Sequence, residues 1–333
     1  MRPFLLSLIC CATLAAQPRI GLIEFYGPRK VPVERVRRAL GVKEGDPFPA
    51  SKGAVEERIE EIPGVVGARM HGVCCDAGKA ILFVGIEEKG APHFPFRSEP
   101  EGTAALPEEI VETYQQFLVA LENAVRRGNT ADDIRSGHSL MADPETRAIQ
   151  ERFPEFAEKH LAVLREVLRN SADAEQRAIA AHVIGYAPKK RDVIDELQYA
   201  VQDSGESVRN NAIRALGAIA VLAARDPSLE IHIEPTWFVE MLNSIVWTDR
   251  NKAVMVLLNL TDDRNQRVLD LVRQRALDSL VDMARWRSLS HAIGAFTLLG
   301  RAAGLTDRLI EDSWTKGERE AVIAMARKAG KKK

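Results

Sequence analysis

Three arginines stand at matching places in the chain. Arg177, Arg209 and Arg250 each precede an alanine by three residues, and each has an aspartate nearby: Asp173, Asp203 and Asp249. Such a row could grip an acidic partner through its guanidinium groups. Alternatively, each arginine could close on an aspartate and the preceding turn, a purely structural ladder. Asn210, placed by helical spacing on the solvent side next to Arg209, joins them as a candidate contact residue. Other reactive side chains are scattered. Histidines stand at 71, 93, 138, 160, 182, 232 and 291, with no paired His-Glu dipeptides and no Cys/His cluster. The Gly137-His-Ser139 turn makes His138 the strongest functional candidate among them, against a helix-capping role. His182 and His291 lie in small-residue helices, where a satisfied core histidine is the plainer reading. Phosphate-cradling glycine loops, nucleophile elbows, zinc-protease helices and EF-hand loops are absent. No cofactor or metal is expected. Trp237, Trp247, Trp286 and Trp314 crowd the C-terminal third; they could line an aromatic-ligand groove or simply fill irregular late repeats.

These residues sit on a repeated helix. Arg177–Gly185 aligns without a gap on Arg209–Gly217, 32 residues later, and a further copy starts at Arg250, 41 residues on. A looser copy contains His291–Phe296, where Ala292 and Phe296 replace Ala253 and Leu257. Apolar helices are expected ahead of each copy, over 161–168, 193–201, 238–246 and 268–283. Within Asp203–Ile219, Val208, Ala212, Ile213, Leu216 and Ile219 share one face, while small residues admit a close neighbour. Paired helices at this period predict an all-α, right-handed α-solenoid. The stretch Asp203–Ile219 resembles the second helix of a HEAT repeat, where Asp and Val-Arg precede an Ala/Leu-rich run. The resemblance extends over about 156–304 and implies a curved protein-binding surface.

The N-terminal third has a different period. Ile20–Tyr26 reads as a strand, and Pro32 opens a helix carrying Val33, Val36 and Leu40, which Gly41 ends. Ser51 caps a second helix, stopped by Pro63-Gly64. A hairpin over 66–74 and 80–88 turns around Asp76-Ala-Gly78. The order β-α-α-β-β, with Gly45-Asp-Pro-Phe48, Ile62-Pro-Gly-Val65 and Val84–Lys89, is similar to a POTRA domain. That resemblance implies protein binding in the bacterial envelope by addition of a strand to an open sheet edge. The edge strand over 66–74, with Arg69 and His71 pointing outward, is the candidate docking site. Adjacent Cys74 and Cys75 read as one small core residue and one exposed residue, because neighbours on a strand point to opposite faces.

Composition sets the remaining limits. The chain has 333 residues, with 46 Lys+Arg against 47 Asp+Glu, so no bulk field draws it to nucleic acid. Arg2, the apolar run Phe4–Leu14 and small residues around Ala15-Ala16 are expected to form a cleaved secretory signal, with an uncleaved anchor as the alternative. No later window could span a membrane. The expected layout is a signal over 1–16, the α+β domain over 18–90, a proline-rich linker over 91–106 and a helical cap over 107–155. The solenoid follows over 156–327, and a basic tail over 328–333. The expected function is a non-catalytic, protein-binding scaffold, exported to the periplasm or cell envelope, whose partners are proteins, among them envelope or outer-membrane ones. The alternative is a repeat-based lyase, or a small-ligand binder, using a tryptophan-lined groove.

Overall fold

The computed structural model describes residues 19–76 and 79–330, without the side chains of Cys75 and Asp76. The expected leader and the last three lysines lie outside the described residues. The N-terminal unit runs β1 (Ile20–Tyr26), α1 (Val33–Leu40), α2 (Lys52–Glu60), β2 (Val65–Asp76) and β3 (Lys79–Glu88). Gly41 stops α1 because φ of +72° suits a residue without Cβ, and Ser51 Oγ caps α2 by accepting from Ala54 N at 3.3 Å. The sheet order is β1-β3-β2, with β1 parallel and β2 antiparallel to the central β3. The two helices carry the chain from β1 to the far edge strand β2, and the hairpin then returns β3 between them, antiparallel to β2 and parallel to β1. Alternation sends Leu82, Val84 and Ile86 to one face, where they pack with Val36, Leu40, Val55 and Ile59.

The other face carries Ile81 and Phe83, which with Tyr26 belong to the core of the helical part. The small domain is therefore a sheet with helices on both sides rather than a free module. Its hairpin differs from the expectation at one place. Cys74 is exposed and disulfide-bonded, not a core residue; the strand pairing slips between Val73 and Asp76, which breaks the alternation there.

The expected linker is docked along the helices. Phe94 is buried, Arg97 N donates to Gln202 O at 2.7 Å, and Ala172 N donates to Gly102 O at 2.7 Å. Beyond it come α3 (Glu108–Arg126), a minimal hairpin of β4 (Asp132–Asp133) and β5 (Leu140–Met141), α4 (Pro144–Gln150) and α5 (Phe153–Lys159). The array then runs α6 (Leu161–Asn170), α7 (Ala174–Ile184), α8 (Ile194–Ala200), α9 (Glu206–Arg225), α10 (Thr236–Met241) and α11 (Trp247–Leu260). It ends with α12 (Gln266–Arg275), α13 (Leu277–Ala284), α14 (Leu289–Ala302), α15 (Asp307–Thr315) and α16 (Arg319–Gly330).

Helices α7, α9, α11, α14 and α16 stack in succession, each backed by the helices before it. Close stacking depends on small residues: a Cβ added to Gly185 would lie 2.6 Å from the Ala215 methyl group. Three details depart from the sequence reading. The apolar run over 268–283 is two helices, broken where Ala276 leaves the helical region at φ −138°. The helix expected over 238–246 stops at Met241. Lys328 belongs to α16, so the helix continues into the expected tail. Among the described residues, no helix is long and apolar enough to cross a membrane.

Candidate functional site

The arginine row is internal. Arg177 donates through Nε and Nη2 to the two carboxylate oxygens of Asp203, both at 2.8 Å, and through Nη1 to the carbonyls of Ser171 and Ala172. Arg209 repeats the arrangement with Asp249, at 3.0 Å for both Nε and Nη2, and with the carbonyls of Asp203 and Ser204. Each arginine thus clamps the turn before its own helix and an aspartate of the next repeat. Arg177 and Arg209 are essentially inaccessible, and Arg250 is 2% exposed. With their carboxylate-facing nitrogens already taken by Asp203 and Asp249, a grip on an acidic partner is not available to the first two as placed. Burial, the dominant influence, pushes the Asp249 carboxyl up, against the pull of Arg209. Asn210 is half-buried, its amide 3.5 Å from Asn211 Oδ1.

At Arg250 the ladder changes partner. The equivalent turn carbonyl, Ser244 O, is bonded by Nε rather than by Nη1, and the guanidinium lies over the Tyr26 ring, 4.5 Å from its centroid. Around this point the sheet meets the array. Tyr26 Oη donates to Ile245 O at 2.6 Å, and Gly27 N donates to Asp282 Oδ2 at 3.0 Å. Glu24 Oε1 accepts from Arg287 N at 2.7 Å; burial raises the Glu24 pKa, and Arg287 and Ser288 oppose the rise. Phe83 fills the space between the indoles of Trp247 and Trp286, with centroids 5.2 and 4.7 Å away. The tryptophan groove is therefore occupied by the protein itself. Trp237 and Trp314 pack at the margin of the same core.

The edge strand is also engaged. Its outward amides at Ala68 and Met70 donate to the carboxylates of Glu60 (2.9 Å) and Glu56 (2.6 Å) from α2. Arg69 pairs with Gly85 in the ladder, and its side chain donates to Glu60 Oε1 at 3.2 Å. His71 points at the array, its Nε2 3.3 Å from Glu206 Oε1, and holds Glu206 at about 2. Free strand acceptance at 68–70, read from Arg69 and His71, is thus corrected: helix α2 caps that part of the edge. The first half of the β1 edge is engaged too, by Ile20 N to Asp46 O at 2.9 Å, Gly45 N to Ile20 O at 2.7 Å and Ile23 N to Glu44 Oε1 at 3.2 Å.

Of the histidines, His138 and His182 come near each other, both packed on the Tyr186 ring at 5.1 and 5.3 Å between centroids. His182 is enclosed by Tyr114, Phe117, Phe153 and Tyr186, and burial pushes it down to about 3. His138 Nδ1 lies 3.4 Å from Lys190 Nζ; burial, then the charge of Lys190, pushes it down to about 4. Among the described residues, no cluster of three or more side chains could hold a metal ion.

Among the described residues, two open surfaces bear on partner binding. One is a cleft of about 410 Å³ where the sheet joins the array, between the β1–α1 loop, the end of β3 and the turn before α13. Its walls carry Arg29, Lys30, Lys89, Arg250, Arg273 and Arg275, against Glu87, Glu88 and Asp278. The other is on the stacked helices. Gly294 lies against Val254 and Leu258, while Arg301 further along α14 reaches Leu258 O and Thr261, so α11 and α14 run parallel. Helical rotation then turns Met255 and Ile293 to the same side, with Leu289 one turn before Ile293. They are 59%, 44% and 53% exposed. Sequence reasoning missed both surfaces; the Met255 and Ile293 positions of the aligned repeats were the available signal for the second. No curated protein shows a significant match to the chain. Residues 161–231, from α6 to just beyond α9, match the family described as HEAT repeats.

Proposed function

We propose that the protein is a non-catalytic, protein-binding scaffold that works outside the cytoplasm, in the bacterial envelope. The HEAT match supports the scaffold class, since such repeats commonly serve protein interaction. The observation that carries the reading is the solvent-held apolar set Met255, Leu289 and Ile293 on consecutive stacked helices, the kind of patch that marks a protein contact. For export, the support is the apolar run Phe4–Leu14 together with the disulfide at Cys74, a bond that persists in oxidising compartments. The β-α-α-β-β order and the mixed sheet favour a POTRA-like origin for residues 18–90. In this reading the unit acts as a fixed flank of the array rather than as a free strand acceptor. A lyase-like groove has no support at the tryptophans, where Phe83 sits.

The test is a paired charge insertion. Met255→Glu with Ile293→Glu should abolish in vivo cross-linking to partner proteins in envelope fractions while the melting curve matches wild type. Unchanged cross-linking by a folded double variant would remove the patch from the function.

A further inference from the structure

The junction cleft has features the fold does not use. Arg250 lines it from the array side and is almost fully buried, yet its Nη1 has no hydrogen-bond partner among the described residues. A buried guanidinium nitrogen left unpaired is costly, and its two counterparts in the ladder are fully engaged with aspartates. The other walls are unevenly charged. Arg29 is paired with Asp282 at 2.8 Å and Arg275 with Glu240 at 2.7 Å, while Arg273 is held by Asp270 and the Ala302 carbonyl. Lys30 and Lys89 are exposed on the rim and make no ion pair among the described residues. Of the acids, Glu88 accepts from the amides of Arg29, Lys30 and Val31, so its oxygens are engaged below the rim. Asp278 faces Arg327 at 3.2 Å. Glu87 also lines the cleft, so the remaining excess of positive charge is that of Lys30, Lys89 and Arg250 over Glu87 and Glu88, beside an apolar wall of Ile86, Ile245 and Leu277.

We propose that this cleft receives the free C-terminal carboxylate of a partner polypeptide, with Arg250 as the anchoring cation and Lys30 and Lys89 guiding the approach. This rests on the protein-binding reading and adds the chemistry of the partner. A carboxylate matches the planar donor pair of arginine. Capture of a chain end is an established recognition mode. The volume of about 410 Å³ accommodates a few residues rather than a folded surface, and the apolar wall fits a non-polar last side chain.

The experiment uses the full chain and a pool of fluorescein-labelled tetrapeptides with random sequence and a free terminal carboxylate. The same pool carrying a C-terminal amide is the control, and fluorescence anisotropy is the readout. The free-acid pool should bind at least about tenfold more tightly than the amide pool, a difference of about 1.4 kcal/mol. Arg250→Met should erase that difference. Because Arg250→Met removes a buried contact, Lys30→Glu with Lys89→Glu serves as the second variant; both changes lie on the exposed rim and should weaken free-acid binding by at least about threefold. Equal binding of the two pools, or an undiminished free-acid preference in a folded variant, would overturn the proposal. So would competition by millimolar inorganic phosphate as effective as that by unlabelled peptide, which would make the cleft a plain anion hole. Because Met255 and Ile293 lie on α11 and α14 outside the cleft lining, failure here leaves the cross-linking test of the scaffold reading standing.

Discussion

Phe83 lies stacked on Trp247, ring planes 26° apart and centroids 5.2 Å apart, so the central strand of the small sheet and a helix of the array share one core. The two parts should unfold together. Phe83→Ala is expected to cost roughly 3–5 kcal/mol, as large aromatic truncations in a core do. Denaturant unfolding should stay a single transition when followed by either far-UV dichroism or tryptophan fluorescence. Gly85→Ala should be severe for a different reason: its Cβ would sit 2.2 Å from the Ile245 carbonyl oxygen, and both atoms belong to backbone-fixed positions. The substitution should push the sheet off the array and change the emission of Trp247 and Trp286. Retention of wild-type emission and stability by Gly85→Ala would contradict the docked arrangement.

The buried pair Arg209–Asp249 gives a second expectation. Removing one member leaves the other charge buried and unpaired, so Arg209→Met alone should cost about 3–5 kcal/mol. Replacing both, Arg209→Met with Asp249→Leu, should recover most of that loss. A double-mutant cycle from urea melts measures the coupling. Additive losses would mean that each residue acts through its turn contacts and not through the pair.

Stability should depend on pH through His182. Its folded pKa of about 3 lies well below the value near 6.5 expected for an unfolded chain. On acidification the unfolded chain takes up this proton first, so the contribution is complete above about 6.5 and is lost as pH falls toward 3. The slope from this residue is at most about 1.4 kcal/mol per pH unit. His182→Phe should flatten the dependence of the melting temperature between pH 6.5 and 4. An unchanged slope in that variant would show that His182 is not the group responsible.

The capped edge yields a fourth prediction. Glu56→Ala with Glu60→Ala frees the amides of Met70 and Ala68, creating an open strand edge. At equal concentration the double variant should self-associate more than wild type in sedimentation velocity. Identical sedimentation would show that other groups also guard the edge.

The periodic features are legible in the sequence alone. Gly41, Ser51 and the alternating Leu82, Val84 and Ile86 announced the β-α-α-β-β order because each follows a local rule. The stacked helices were equally plain, since Arg177, Arg209 and Arg250 recur with their alanines. The destination of each guanidinium was less plain. Arg177 chooses Asp203 and Arg209 chooses Asp249, partners one repeat ahead, and spacing in one dimension does not rank aspartates across a turn. Arg250 was least readable, because its neighbour Tyr26 comes from a segment with another period. The same limit hid the cleft. Its two walls, around Lys30 and around Arg275, are far apart in the chain and each looks like an ordinary charged turn.

Docking the sheet on the far end of the array also imposes an order of events during synthesis. The Tyr26 hydroxyl bonds a carbonyl 219 residues later, and Glu24 bonds an amide 263 residues later. At the usual ~5–20 residues per second, the first strand waits roughly 10–45 s before Ile245 exists. For that interval Tyr26, Ile81 and Phe83 form a naked apolar face on a sheet too small to hide it, the kind of surface that chaperones recognise and that nascent chains aggregate through. Wherever the chain folds from its N-terminus, the small sheet rather than the repeats is the part left with a bare apolar face until α11 arrives.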